Sequence, residues 1–131
     1  MTSLTPIQLH TDSCQFTGSE TFFRYSILFP KTLLTEGAKY VADKAECYWL
    51  IDDISALQLN VKAKADGLQV WKIVLDKKGD VCVICSDGNG NAIHRQRIDY
   101  TDFPLDIENP EFTFWVADNG AGITIMLPSE Y

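Results

Sequence analysis

From Leu68 to the C-terminus the apolar residues of this chain recur every second position, and turn-forming strings break the recurrence at short intervals. That pattern constrains the fold more than any other feature. A strand presents alternate side chains to opposite faces of a sheet, so a period of two marks strands with one buried face. "LQVWKIVL" places Trp71, Ile73 and Leu75 on one face, "DKKGD" turns the chain and "VCVICS" returns it. "DGNGN" turns it again into "AIHRQRIDY", and after a Pro-punctuated connection, "TDFPLDIENPE", "FTFWVA" and "ITIMLP" flank "DNGAG" as a last hairpin. Five strands in hairpin order imply a mainly antiparallel sheet.

The first half reads as helical. Thr35 is a suitable N-cap with Glu36 in the first turn, and Cys47, Leu50, Ile51, Ile54 and Leu57 follow at spacings of three and four. The stripe ends near Leu59, and residues 60–66 read equally as helix end, strand or loop. A sheet needs a cover for its apolar face, so the expected class is α+β, with an N-terminal helical half packed on a sheet of about five strands built by the C-terminal half. The 131 residues, 46% hydrophobic, suit a single domain with its own core, and residues 1–15 are expected to form a flexible lead-in.

Charge is placed unevenly along the chain. Up to Arg97, eleven acidic residues balance all eleven Lys and Arg; beyond it only Asp99, Asp102, Asp106, Glu108, Glu111, Asp118 and Glu130 follow, which accounts for the net charge of -7. Such a field disfavours direct nucleic-acid binding and suits solubility, or a partner with a basic surface. Cys14, Cys47, Cys82 and Cys85 lie in or beside apolar stretches without a disulfide framework, and the N-terminus lacks a signal-peptide pattern. No segment approaches the ~20 apolar residues of a membrane span. The expectation is a cytoplasmic protein.

Each string that could carry chemistry has a plainer reading. Cys82 and Cys85 resemble a zinc or redox pair, yet residues three apart on a strand point to opposite faces. Asp87, Asn89 and Asn91 match the opening of a calcium loop, but Ala92 replaces its turning glycine and Ile98 its closing glutamate. A tight hairpin turn accounts for the same string. Asp52 and Asp53 diverge by about 100° on a helix and cannot jointly flank one bond. Arg95 and Arg97 are expected to pair with carboxylates. No cofactor or metal is expected, no complete set of catalytic parts is present, and the balance is against an enzyme.

The blocks "FTGSE" (16–20), "EGAKYVADKA" (36–45), "YWLID" (48–52), "QVWK" (69–72), "DGNGN" (87–91), "YTDFP" (100–104) and the terminal "LPSEY" (127–131) resemble a family of small uncharacterised bacterial proteins often carried on plasmids and other mobile elements. The resemblance implies a bacterial, cytosolic single domain and brings no activity.

Three functional readings remain. The first is a non-enzymatic protein-binding or accessory module whose acidic C-terminal quarter docks a partner, with Tyr100, Asp102, Phe103, Asp106, Glu108, Glu111 and Trp115 as candidate contacts. The second is a ligand binder or small enzyme around His94, Gln96, Tyr100 and Asp102, since His94 and Gln96 share strand parity with Ile98 and Tyr100. The third is a structural homo-oligomer, such as a homodimer that covers an open sheet edge.

Overall fold

The computed structural model describes residues 5–13, 15, 22–25, 31–58, 68–87, 91–98, 103–118 and 122–130. Its elements run α1 (Pro6–Ser13), β1 (Phe22–Arg24), β2 (Thr32–Thr35), α2 (Glu36–Lys44), α3 (Tyr48–Leu57), β3 (Leu68–Leu75), β4 (Val81–Asp87), β5 (Ala92–Ile98), β6 (Glu111–Asp118) and β7 (Ile123–Met126), then a short 3-10 turn, Pro128–Glu130.

All seven strands join one sheet in the order β1-β2-β7-β6-β3-β4-β5. This corrects the expected architecture of a helical N-terminal half on a five-stranded sheet. Two strands come from the N-terminal half, and β2 lies parallel to β7, so the sheet is mixed. The five C-terminal strands form where the alternation marks them but not in the expected hairpin order, since β6 pairs with β3 and not with β5, which precedes it in the chain. The parallel seam has its own local requirement. Ile123 donates its N–H to the Lys31 carbonyl, and a Cβ on Gly122 would stand 2.1 Å from that oxygen.

The two helical stripes form two helices. After α2 the chain reverses at Glu46, which holds a left-handed φ of 54°, and α3 starts at Tyr48. Both helices bury their apolar stripes on the same face of the sheet. Val41, Ala42, Leu50, Ile51 and Ile54 meet Trp71, Ile73, Val83, Phe112, Phe114 and Ile125 in one core. Within the N-terminal fifteen residues, where a flexible lead-in was expected, α1 places Leu9 in that core.

Polar bonds anchor the helices at chosen points. Gln69, 1% exposed on β3, accepts from the Trp71 indole N–H (3.1 Å) and from Gln58 at the end of α3 (2.8 Å). Thr32 of β2 donates to Ser55 of α3 at 3.1 Å, also in the interior. At the start of α2, Thr35 caps Ala38 N–H through its hydroxyl (3.2 Å) and donates that hydroxyl to Glu130 Oε1 (2.6 Å). The Glu130 carboxylate, 7% exposed, also accepts from the N–H groups of Gly37 (3.1 Å) and Leu127 (3.0 Å). The last residues of the chain thus supply an anion to a helix N-terminus, where unpaired N–H groups and the helix dipole favour negative charge.

Among the described residues no helix packs on the opposite face of the sheet, and none is long and apolar enough to cross a membrane.

Candidate functional site

The residues expected to form a site fall into three places. His94 and Gln96 lie on β5, the sheet edge, on the helix-covered side, with His94 half-buried and Gln96 exposed. Trp115 and Glu111 lie on β6, on the opposite side, separated from β5 by β4 and β3, or about 14 Å at the usual strand spacing. Phe103, Asp106 and Glu108 belong to the connection that leads into β6. Tyr100 and Asp102 lie outside the described residues. The structure therefore separates the His94 group from the acidic segment.

Around His94 the neighbours are specific. Its ring is tilted against Trp71 with 6.2 Å between centroids, and Cys85 is its cross-strand partner. Asp53 faces it from α3; burial, then the Asp52 charge, raises the Asp53 carboxyl above the ordinary value, and His94 opposes that shift. A thiol, an imidazole and a carboxylate in one neighbourhood invite a nucleophile reading. Burial answers it: Cys85 is fully enclosed and its thiol is pushed up to about 12, so at neutral pH it stays protonated and out of reach. Cys82, on the other face of β4, is half-exposed, so the two thiols diverge as a strand requires.

A second cluster joins α3 to the strand end before it. Tyr25 and Tyr48 stack with 5.9 Å between ring centroids and 8° between planes. Tyr25 donates to Asp52 and Tyr48 to Asp43, while Lys39 pairs with Asp43 at 2.9 Å. Burial, then the Asp43 hydrogen bond, pushes the Tyr48 hydroxyl up to about 12. Burial, then Asp52, raises Tyr25 further still. Tyr40 is likewise raised, first by its hydrogen bond to Asp12. These hydroxyls act as donors, and Asp52 is a hydrogen-bond acceptor for the fold.

The acidic quarter is dispersed. Glu130 is the buried cap described above. Glu111 sits 3.8 Å from Lys72, and Asp118 is at the far end of β6. Arg97 pairs with Asp80 at 3.1 Å, and Asp80 precedes Arg97 in the balanced part of the chain. What protrudes is the 103–110 connection. Its base is fixed: Phe103 is buried against Phe112, with 5.7 Å between ring centroids, Pro104 is buried, and Leu75 donates to the Pro110 carbonyl at 2.7 Å. Its tip is closed by Asp106, whose carboxylate accepts from Asn109 N–H (2.7 Å) and whose own N–H reaches the Asn109 carbonyl (3.1 Å). On that fixed turn Ile107 is 92% exposed, with Asp106 and Glu108 on either side.

Ile107 was not among the residues singled out from the sequence. The signal was an isoleucine between two carboxylates in a segment bounded by Pro104 and Pro110, which reads as an ordinary loop residue until its exposure is known.

The described residues form a sheet-rich domain with helices on one face and an acidic turn closed by Asp106–Asn109 hydrogen bonds. The chain belongs to a family of unknown function, DUF6876, whose family model matches residues 7–131. Among solved structures it is similar to a protein of unknown function from Enterococcus faecalis, at 22% identity and a TM-score of 0.53, over 85% of this chain and 98% of that one. That likeness concerns the fold. No curated protein matches the chain.

Proposed function

We propose that this chain is a non-enzymatic protein-binding module that engages a partner through the 103–110 tip. The observation that carries the reading is Ile107, 92% exposed on a turn held by Asp106–Asn109 bonds and a buried Phe103 base. A large aliphatic side chain kept in water on an ordered loop loses little entropy when it enters a pocket, which is the property of an interface anchor. Asp106 and Glu108 beside it favour a partner whose pocket has a basic rim, and the excess of carboxylates over the whole chain would speed such an encounter. An accessory factor of this kind, carried on a mobile element, would act by occupying a basic surface otherwise open to nucleic acid.

Capture from the native bacterial lysate at low and high salt, with Ile107→Asp and Glu108→Lys beside the unaltered chain, tests it. Both substitutions avoid the bonds that close the turn. The unaltered chain is expected to retain a stoichiometric protein that salt releases, and both variants are expected to lose it. Equal capture by the variants, or a chain recovered alone, contradicts the reading.

A further inference from the structure

The 103–110 tip does not stand alone at its end of the sheet. Leu75, the last residue of β3, donates its N–H to the Pro110 carbonyl at 2.7 Å, and Val74 is the strand partner of Glu111. The tip and the 76–80 turn that joins β3 to β4 therefore leave the sheet side by side, with their bases one strand spacing, about 5 Å, apart. That turn is closed from within, as the tip is. Asp76 Oδ1 accepts from Lys78 N–H (2.8 Å) and Asp80 N–H (2.9 Å), and Gly79 takes the left-handed φ of 87° that lets the chain reverse. Asp80 is held by Arg97 at 3.1 Å. Lys77 and Lys78 are exposed and have no ion-pair partner among the described residues, although Asp106 and Glu108 belong to the neighbouring connection.

Size brings these lysines into any contact made by the tip. A specific protein–protein interface covers roughly 800 Å² on each partner, a patch about 16 Å in radius and larger than the 103–110 segment supplies. A partner seated on Ile107 therefore reaches the 76–80 turn beside it. A uniformly basic surface would there meet two ammonium groups, and like charges juxtaposed across an interface reject a partner.

We infer that the partner's docking surface carries both signs of charge: cations around the pocket that takes Ile107, facing Asp106 and Glu108, and carboxylates beside it, facing Lys77 and Lys78. The inference rests on the tip being the docking element and adds the chemistry of the surface that the tip meets. Two signs at fixed places also orient the partner. Turned half a rotation about Ile107, the same surface would oppose carboxylate to carboxylate and ammonium to ammonium.

Calorimetric titration of this chain, at low salt, with the protein it retains from lysate tests the inference through the sign of one change. Lys77→Glu combined with Lys78→Glu is expected to weaken binding at least about tenfold, because carboxylates then face carboxylates. On a uniformly basic surface the same reversal would add attraction and tighten binding. Both lysines are exposed, so the variant is expected to keep the urea midpoint of the unaltered chain. Carbodiimide cross-linking of the unaltered complex gives a second readout, since it joins amines to carboxylates that are in contact. Peptides linking Lys77 or Lys78 to an Asp or Glu of the retained protein are expected. Tightened or unchanged binding, or a complex that yields no such peptide, overturns the inference; the tip reading still stands if Ile107→Asp abolishes capture. A chain that retains no protein overturns both.

Discussion

Glu130 shows how a residue's role depends on what its neighbours leave unsatisfied. In the sequence it is one of seven carboxylates that follow the last arginine, and it counts toward an acidic surface; in the fold it is enclosed and accepts from Thr35, Gly37 and Leu127. No local pattern could reveal this, because two of its three partners, Thr35 and Gly37, lie more than ninety positions earlier in the chain. Removing the carboxylate strands helix N–H groups in the interior, so Glu130→Ala is expected to cost about 2 kcal/mol in urea denaturation. Gly37 gives a sharper check. Alanine normally exceeds glycine in a helix by about 1 kcal/mol, yet a Cβ here would stand 2.4 Å from Glu130 Oε1, so Gly37→Ala is expected to destabilise. The tyrosine pairs belong to the same scale. Tyr25, Tyr40 and Tyr48 hold their protons more tightly folded than unfolded, so the stability they contribute is complete below about pH 10 and is lost as pH rises through the folded values, about 12 for Tyr48. Absorbance at 295 nm should show these hydroxyls lagging the ordinary titration in the native chain and joining it in urea. On the acid side, Asp43 is held low, chiefly by the Tyr48 hydrogen bond and then by Lys39. Its contribution is present above the ordinary carboxylate value and is lost as pH falls below it.

Among elements, those with a strong local period were legible and those defined by distant partners were not. Strands β3, β4, β6 and β7 were legible because one face of each is apolar, and β5 because turn-forming residues precede it and its side chains alternate. The stripe from Leu50 to Ile54 was legible as a helix because one of its faces is apolar too. β1 and β2 are three and four residues long, too short for alternation to register, and β2 is a strand because β7 offers it a parallel edge. The two helical stripes were legible as separate, but the left-handed residue between them was not, since Glu46 adopts a conformation that glycine or asparagine would have announced. Glu46→Gly is expected to gain up to about 1 kcal/mol by relieving that conformation, read as a higher urea midpoint. The bond between β3 and α3 is expected to behave in the opposite sense. Gln69→Leu keeps the volume but leaves the Trp71 indole N–H without its acceptor, at a cost of about 1–3 kcal/mol in the same assay.

At the scale of the molecule, the described helices take one face of the sheet, and the acidic turn around Ile107 stands exposed at the lead into β6. The sequence located the acidic segment but treated its charges as one surface, because spacing along the chain does not say that β6 carries Glu111 and Asp118 to opposite ends. The shared parity of His94 and Gln96 on β5 was legible from the sequence. Asp53 and Trp71, which neighbour His94, came from other elements and could not be paired with it in advance. Native mass spectrometry of the complex captured from lysate tests the binding module most directly. The account predicts this chain together with a stoichiometric protein partner, which is lost on Ile107→Asp or Glu108→Lys. A mass corresponding to this chain alone, whether one copy or two, would contradict the binding module at its centre.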